Sequence, residues 1–423
     1  MEVLTFIFYF ILFSFLLTKI NFLKNSGIEK IPLITLFSIK IIAGIAYAKF
    51  YTLPRYYSNS DTWRYYKLSI PEKKWLLTNP LEFIKDLFVY GYDSSGNLFS
   101  GQNTFWNDLK SNILVKMMAV MNVFTFNSYY SNIILFNFIF IFGLVALFRV
   151  FYSLFPHKKW LIIAGIFLLP STLFWCSGIH KDGLILSALG LIIYVFNNFL
   201  KDKITVKKFF LVLFLLLLVF SLRNYILFAL LPALLLWFLC GKFPHHKTIL
   251  IIGIYLVGVS LFFLLPLAIP ALNFPSFIVN KQLEFLQLEG GSEIKTQPLN
   301  PSFQSFIYYL PYALDIVFLQ PHVTSIKNLS YLPAIGEVLL LNLAIILSIL
   351  FLPKKYNPPP VILFCFAFSL SIMLICGYTI PFSGAIVRYR SIVLSLLLTP
   401  LLCITTLTTS KIKNCLQSNR LRK

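Results

Sequence analysis

Charge is what this chain has least of. Asp, Glu, Lys and Arg make up 12% of its 423 residues, where a soluble domain carries about 25%. Too little polar surface remains to cover a water-soluble globule of this size. Cytosolic, secreted, fibrous and disordered classes are therefore excluded. Carboxylates are scarcest, at 15 against 36 lysines and arginines. The six cysteines are Cys176, Cys240, Cys365, Cys376, Cys403 and Cys415, and no CxxC or other metal-ligand spacing occurs among them. Five fall inside apolar runs, where a thiol packs as a small hydrophobe. Neither a disulfide framework, a metal centre nor a cofactor is expected. The N-terminus lacks a basic n-region and a small-residue cleavage site, so its apolar run reads as a retained span. Internal repeats, heptads and low-complexity tracts are missing too.

What the chain does have is apolar length. Hydrophobic residues reach 58% and the mean hydropathy is +0.81. The fold class is all-α, a polytopic bundle of transmembrane helices. A helix needs roughly 20 apolar residues to cross about 30 Å of hydrocarbon. Eleven segments qualify: Val3–Leu17, Ile31–Ala48, Asn132–Phe151, Trp160–Gly178, Gly183–Leu200, Phe209–Leu222, Tyr225–Cys240, Thr248–Leu267, Pro333–Leu352, Pro360–Phe382 and Ser391–Leu407. The run Phe209–Cys240 is 32 residues long. As one helix it would measure about 48 Å, too long for the bilayer. It also carries Arg223 and Asn224 at its middle, where a charge costs at least about 2.5–3.5 kcal/mol. A hairpin with Arg223 at its tip avoids that cost. The same logic splits Trp160–Leu200 at His180, Lys181 and Asp182.

The formal net charge of +21 would raise nucleic acid as a partner in a soluble protein. Here the basic residues lie between spans, where they set orientation and meet anionic lipid head groups. No nucleic acid is expected. Lys19, Lys24 and Lys30, then Arg149, Lys158 and Lys159, then Lys201, Lys203, Lys207 and Lys208, then Lys242 and Lys247, then Lys354 and Lys355 fall on one side. The tail lysines and arginines join them, and only Lys181, Arg223, Arg388 and Arg390 occupy the short loops opposite. The positive-inside rule places the C-terminus in the cytoplasm and the N-terminus outside. One integral-membrane domain is expected over residues 1–410, with a basic cytoplasmic tail over 411–423. Two long external connections, about 49–131 and 268–332, are expected to hold short interfacial helices at Pro80–Phe88, Ile113–Phe126 and Phe303–Leu319. Ile113–Phe126 can also be read as re-entrant. Asn328-Leu329-Ser330 fits the N-glycosylation pattern, a short match that carries little.

Four stretches combine chemistry-bearing residues, and each has a plainer alternative. In Ser58–Tyr66, Asp61 can take a proton from a hydroxyl as general base, and Arg64, one turn on, can hold an anion. The plainer reading is an Asp N-cap followed by an interfacial aromatic belt that includes Tyr66. In Pro170–Gly183, the short turn packs His180, Lys181 and Asp182 between two spans. Lys181 can meet a phosphate at the helix N-terminus, or simply pair with Asp182. In Leu222–Tyr225, Arg223 sits below the surface because each hairpin arm is short, and its partner is Asp182, Glu337 or an anionic ligand. In Gly384–Arg390, Arg388 and Arg390 suit bidentate phosphate recognition. They stand about 200° apart on a helix, so only one can face a given cavity. Glu337, a few residues into its span, either serves a site or favours the helix dipole. His322 reads as isolated and structural.

The stretches YYSNSDTWRYY, LPSTLFWCSGIHKDGL, LRNYILFALLPALLL and GAIVRYRSIVLSLLL resemble bacterial polytopic proteins of surface-polysaccharide assembly. These include GT-C-type glycosyltransferases and O-antigen polymerase-like proteins. The resemblance implies an enzyme of the cytoplasmic membrane that takes sugar from a polyprenyl-phosphate or polyprenyl-diphosphate carrier. The carrier and a glycan acceptor would be its partners at the outer face. Asp61 matches the acidic residue that serves as catalytic base in the first external loop of such enzymes. Here that loop follows the second span rather than the first. Lys181, Arg223, Arg388 and Arg390 fit the external cations that hold the donor phosphate, with Arg64, Tyr66, His180 and Asp182 as further substrate-binding candidates. Transfer of assembled repeat units by a polymerase or ligase, and transport without chemistry by a lipid-linked glycan flippase, are the other readings.

Overall fold

The computed structural model describes residues 2–57, 60–89, 91–92, 95–96, 98–99, 104–202, 205–288, 292–325, 329–352 and 356–405. Ser58, Asn59, Lys203, Gly290, Gly291, Asn328, Lys354, Lys355, Cys415 and the basic tail lie outside the described residues. Helix α1 (Glu2–Lys19) is followed by the short α2 (Asn21–Lys24) and by α3 (Lys30–Phe50). The first long connection holds α4 (Pro54–Tyr57), α5 (Asp61–Thr78), α6 (Pro80–Lys85) and α7 (Phe105–Thr125). Then come α8 (Tyr129–Leu154), α9 (Lys159–Phe167), α10 (Pro170–Trp175), α11 (Lys181–Phe199), α12 (Val206–Leu222), α13 (Asn224–Lys242) and α14 (Lys247–Ala268). The second long connection carries α15 (Phe274–Leu286) and α16 (Phe303–Phe318), and α17 (Leu332–Phe351), α18 (Pro360–Thr379) and α19 (Ser383–Ile404) follow.

The fold is all-helical among the described residues, apart from one isolated bridge between Glu293 and Phe382. Nine of these helices, α1, α3, α8, α11, α13, α14, α17, α18 and α19, are long and apolar enough to cross a membrane. Two of the eleven expected spans are not among these nine. Trp160–Gly178 is broken into α9 and α10, because Pro170 lacks an N–H and pushes the residue before it out of helical geometry. Accordingly Leu169 is extended, with φ −64° and ψ 124°. Phe209–Leu222 lies within the continuous helix α12, which at 17 residues is slightly shorter than those nine. The last helix also starts earlier than expected, at Ser383 rather than Ser391, so Arg388 and Arg390 lie inside α19. Pro80–Phe88 is helical as expected, whereas Ile113–Phe126 is the latter part of the longer α7, packed against α5. α16 packs on α18 through Phe306, Tyr309 and Ala313, one helical face.

Contacts sort the helix ends into two groups. The Trp63 indole donates to the Ala48 carbonyl at 3.1 Å, and Thr62 and Tyr129 hydroxyls meet at 2.6 Å. These join the end of α3 to the starts of α5 and α8. At the opposite pole Lys159 reaches Glu29 at 2.5 Å, and Lys158 donates to the Cys403 and Thr405 carbonyls at 2.6 and 2.7 Å. Lys247 donates to the Asn357 side chain there at 2.6 Å. The broken α9–α10 unit thus starts at the second pole and delivers the chain to the first.

The centre of the bundle is the pairing of α8 with α11. A Cβ on Gly143 would lie 2.2 Å from the Ser187 carbonyl, and one on Gly190 would lie 2.1 Å from the Gly143 carbonyl. Only hydrogen fits, and this is how helices approach closely in lipid, where packing replaces hydrophobic driving force. Gly253 of α14 has open space around it. Gly143→Leu and Gly190→Leu are expected to remove the monodisperse peak in detergent size-exclusion chromatography. Gly253→Leu is expected to keep it, and an equal loss in all three would contradict this packing.

Candidate functional site

The site is built on a short turn wedged into the bundle. Between α10 and α11 the chain runs Cys176-Ser177-Gly178-Ile179-His180. Its backbone needs partners, since nothing in a bilayer core supplies them. Lys40, 1% exposed within α3, donates to the Ser177 hydroxyl at 2.8 Å and the Cys176 carbonyl at 3.3 Å. Asn137 of α8 donates to the Ser177 carbonyl at 2.8 Å. Gly178 lies so close to the Tyr47 ring that a Cβ would fall 2.1 Å from it. At the other end of α10, Glu337 of α17 accepts from the Ser171 amide at 2.7 Å. That carboxylate sits on the helix N-terminus, where negative charge is favoured. The half-helix α10 is therefore held at both ends by charged side chains from other helices.

This turn sets His180, the N-cap of α11, whose Nδ1 lies 3.3 Å from the Asp182 amide nitrogen. Asp182 follows in the first turn of α11 and is fully buried. Its Oδ1 meets Arg223 at 2.5 Å, and its Oδ2 meets Arg388 Nε at 3.0 Å and His180 Nδ1 at 3.0 Å. Arg223 caps the junction of α12 and α13, as the hairpin reading requires, and is 4% exposed. It also donates to the Tyr225 hydroxyl at 2.7 Å and stands 4.0 Å from the Tyr389 ring centre. A guanidinium over an aromatic face gains from the ring quadrupole. Of the partners weighed for Arg223, the structure provides Asp182, not Glu337.

Asp61 completes the group. Ser60, not Asp61, is the N-cap of α5, accepting from the Trp63 amide at 3.4 Å. That leaves the Asp61 side chain free to turn inward. Its Oδ2 lies 3.3 Å from His180 Nε2 and 3.4 Å from Arg388, which also contacts His180 Nε2. Asp61 is 40% exposed, whereas His180 and Asp182 are wholly covered, so Asp61 is the carboxylate an incoming molecule can reach. Burial alone raises its pKa, but the His180 hydrogen bond and the Arg388 charge more than offset this and hold the carboxyl below its ordinary value of 3.8. Lys181 is half-buried at the first position of α11 and makes no ion pair among the described residues. The plain Lys181–Asp182 salt bridge is thus not formed. An aromatic wall of Tyr47, Tyr51, Phe174 and Trp175 borders the group, with Arg388 5.5 Å from the Trp175 ring centre.

Three of the expected site residues lie elsewhere. Arg64 is exposed on α5. Tyr66 donates to the Asn127 carbonyl at 2.6 Å and packs on Tyr129, so it serves the α5–α8 junction. Arg390, two residues past Arg388, is swung to the far side of α19, where it donates to the Val317 and Gln320 carbonyls at 3.0 and 3.1 Å. His322 is not isolated, since it meets Asp315 at 3.3 Å. Lys40 and Asn137, which hold the turn, were not among the expected site residues. The signal for Lys40 was a lysine within an apolar run. The five described cysteines are free and buried, and no group of three or more metal-ligating His, Cys, Asp or Glu side chains occurs among the described residues. No protein-family model, curated protein or solved structure matches this chain.

The buried carboxylate is expected to decide folding. Asp182→Asn leaves Arg223 without its charge partner and Arg388 with Asp61 alone, and breaking a buried pair of this kind costs about 3–5 kcal/mol. Both Asp182→Asn and Arg223→Ala should lower the yield of monodisperse protein and its thermal midpoint. Arg64→Ala should alter neither. For Asp61, a lowered pKa means a stabilising contribution fully present above pH 3.8 and lost as pH falls through the folded value. The stability gap between wild type and Asp61→Asn should therefore stay flat from about pH 7 to pH 5 and close only under stronger acid, as read by thermal unfolding across pH. A gap that closes near pH 6 would contradict the arrangement.

Proposed function

We propose that this chain is an integral-membrane glycosyltransferase of the GT-C-like kind. In this reading it uses a polyprenyl-phosphate or polyprenyl-diphosphate sugar donor at the outer face of a bacterial cytoplasmic membrane, for cell-surface polysaccharide or glycoconjugate assembly. The observation that carries the reading is the meeting of Asp61, His180, Asp182, Arg223 and Arg388 at one pole, from three separate helix junctions and the second turn of α19. Lys181, Arg223 and Arg388 outnumber Asp61 and Asp182 by one, with His180 left out of the count. Such a group has cationic capacity to spare for an anionic ligand, and one carboxylate open to it.

The chemistry follows from those roles. An acceptor hydroxyl attacks the anomeric carbon of the donor sugar, and the bond from that carbon to the phosphate oxygen breaks. The hydroxyl proton passes to Asp61. The charge that develops on the departing phosphate is met by Arg388 and Lys181, already placed and partly desolvated. A phosphate engaging Arg388 also competes with Asp61 for the guanidinium. Asp61 then loses part of what depresses its pKa and becomes a better base while donor is bound. Arg223 is committed to Asp182 and acts by fixing that carboxylate. Arg388 is thereby held in place.

Orientation fits the same reading. The pole opposite the site holds Lys158, Lys159 and Lys247, with Arg149 near the end of α8 and Lys201 just past the end of α11, which favours it as the cytoplasmic face. Counting the broken α9–α10 unit and α12 as crossings restores eleven passages, with the N-terminus outside and the C-terminus inside. A lipid-linked glycan flippase would need buried charges that serve its cargo along the path. Lys40 and Glu337 are instead engaged at the ends of α10, which favours an enzyme. Polymerisation or ligation of lipid-linked repeat units uses the same base and phosphate site and differs in the acceptor.

Asp61→Asn keeps the shape and removes the base. It is expected to lower glycan transfer to lipid-linked acceptor by roughly 10²–10⁴-fold, the usual worth of general base catalysis. Membrane insertion and protein yield should stay at wild-type levels. Undiminished transfer by this variant in reconstituted vesicles would remove Asp61 from catalysis and turn the site into one for binding or transport.

A further inference from the structure

At the pole opposite the proposed active site there is a polar cavity of about 350 Å³. It lies between the Asn25-Ser26-Gly27 turn and the last turns of α8 and α11, and its rim includes Arg149, Tyr152, Tyr194, Asn198 and Lys201. The lining is rich in donors and contains neither Asp nor Glu. Arg149 is the centre of it. Its guanidinium stands 5.1 Å from the Phe22 ring centre and 5.2 Å from that of Tyr194, and those two rings pack edge to face. Arg149 is half-buried, yet among the described residues it makes no ion pair and no hydrogen bond to protein. A guanidinium carries five N–H donors in a fixed fork. Held between two rings, it has already lost much of the rotational freedom that binding would otherwise remove.

The carbonyls at the ends of α8 and α11 carry partial negative charge that favours a nearby cation. That accounts for a basic residue in this region. It does not account for a guanidinium fixed over aromatic faces, with its fork unused, beside a cavity lined by Asn198 and Lys201. Planar donor forks suit phosphate oxygens. We propose that this cavity binds a phosphate group, as carried by the head group of an anionic phospholipid. The bound head group ties the α2–α3 turn to α8 and α11. The site is independent of the glycosyltransferase reading, because it shares no residue with the Asp61 cluster.

The test uses the full chain purified in neutral detergent and stripped of lipid. Thermal unfolding is followed against added short-chain phosphatidylglycerol, short-chain phosphatidylcholine or inorganic phosphate, for wild type, Arg149→Gln and Lys201→Gln. Wild type is expected to be stabilised by phosphatidylglycerol over phosphatidylcholine, with apparent affinity falling roughly tenfold in Arg149→Gln, the worth of one charge-assisted hydrogen bond. A smaller fall is expected in Lys201→Gln, which keeps the test usable should Arg149→Gln fail to fold. Equal stabilisation by inorganic phosphate, lost in the same variants, would identify the phosphate group itself as the ligand and make the lipid tail dispensable. Phosphatidylglycerol and phosphate effects that are absent from wild type, or unchanged in both variants, would overturn the proposal.

Discussion

A single buried carboxylate organises this molecule. Asp182 has no exposure to solvent and accepts from two arginines that arrive from different places, the α12–α13 hairpin and the interior of α19. Charges of this kind are costly to desolvate, and their mutual attraction offsets the cost only where the geometry is tight. Here it is tight on both carboxylate oxygens. Arg388 bridges from Asp182 to Asp61, so a group with no access to the outside fixes one that has it. The pair at the base of the cluster is thus structural, and its outer members are the ones with capacity for chemistry.

The turn that presents Asp182 is itself an unusual piece of membrane backbone. A helix crossing a bilayer satisfies its own amides, whereas a broken one must find donors and acceptors elsewhere. Pro170 breaks the α9–α10 unit, and the freed groups are met by Glu337 at one end of α10 and by Lys40 and Asn137 at the other. Two ionisable residues inside apolar helices thereby find partners without any ligand. Gly178, pressed on Tyr47, and Gly44, pressed on the Ser177 carbonyl, let α3 approach closely enough for Lys40 to reach.

Much of this was legible in the sequence because polar residues are so rare in it. In an apolar chain a charge that interrupts a run marks a turn or a site, and Arg223 and the His180-Lys181-Asp182 triplet both did so. The hairpin at Arg223 followed from length and desolvation cost alone, and Asp182 was among the partners those arguments admitted. Helix geometry also required Arg388 and Arg390 to part ways, but not which of them faced Asp61. That choice depends on the rotation of α19, set by packing against α9, α10, α17 and α18, and no local pattern encodes it. The place of Tyr66 is set in a similar way, because its hydroxyl donates to the Asn127 carbonyl, 61 residues away. The break in Trp160–Gly178 was visible as Pro170 but was outweighed by hydropathy. The part played by Lys40 lay beyond reach, since its partners are 136 and 137 residues distant.

The position of Asp182 in the chain has a consequence for biogenesis. Its first cationic partner, Arg223, is 41 residues downstream, and its second, Arg388, is 206 residues downstream. During synthesis the α12–α13 hairpin emerges soon after α11, so the carboxylate can be neutralised early and α11 need not wait bare in lipid. Arg388 arrives only with the last helix and brings its own charge into an assembly already neutral at Asp182. Asp61, made earlier than any of them, remains at the edge with its charge available. The order of residues along the chain therefore lets the buried half of the cluster form first. The half that holds Asp61 is closed only by the final helix, which supplies Arg388 and fills the space between α9, α10, α17 and α18.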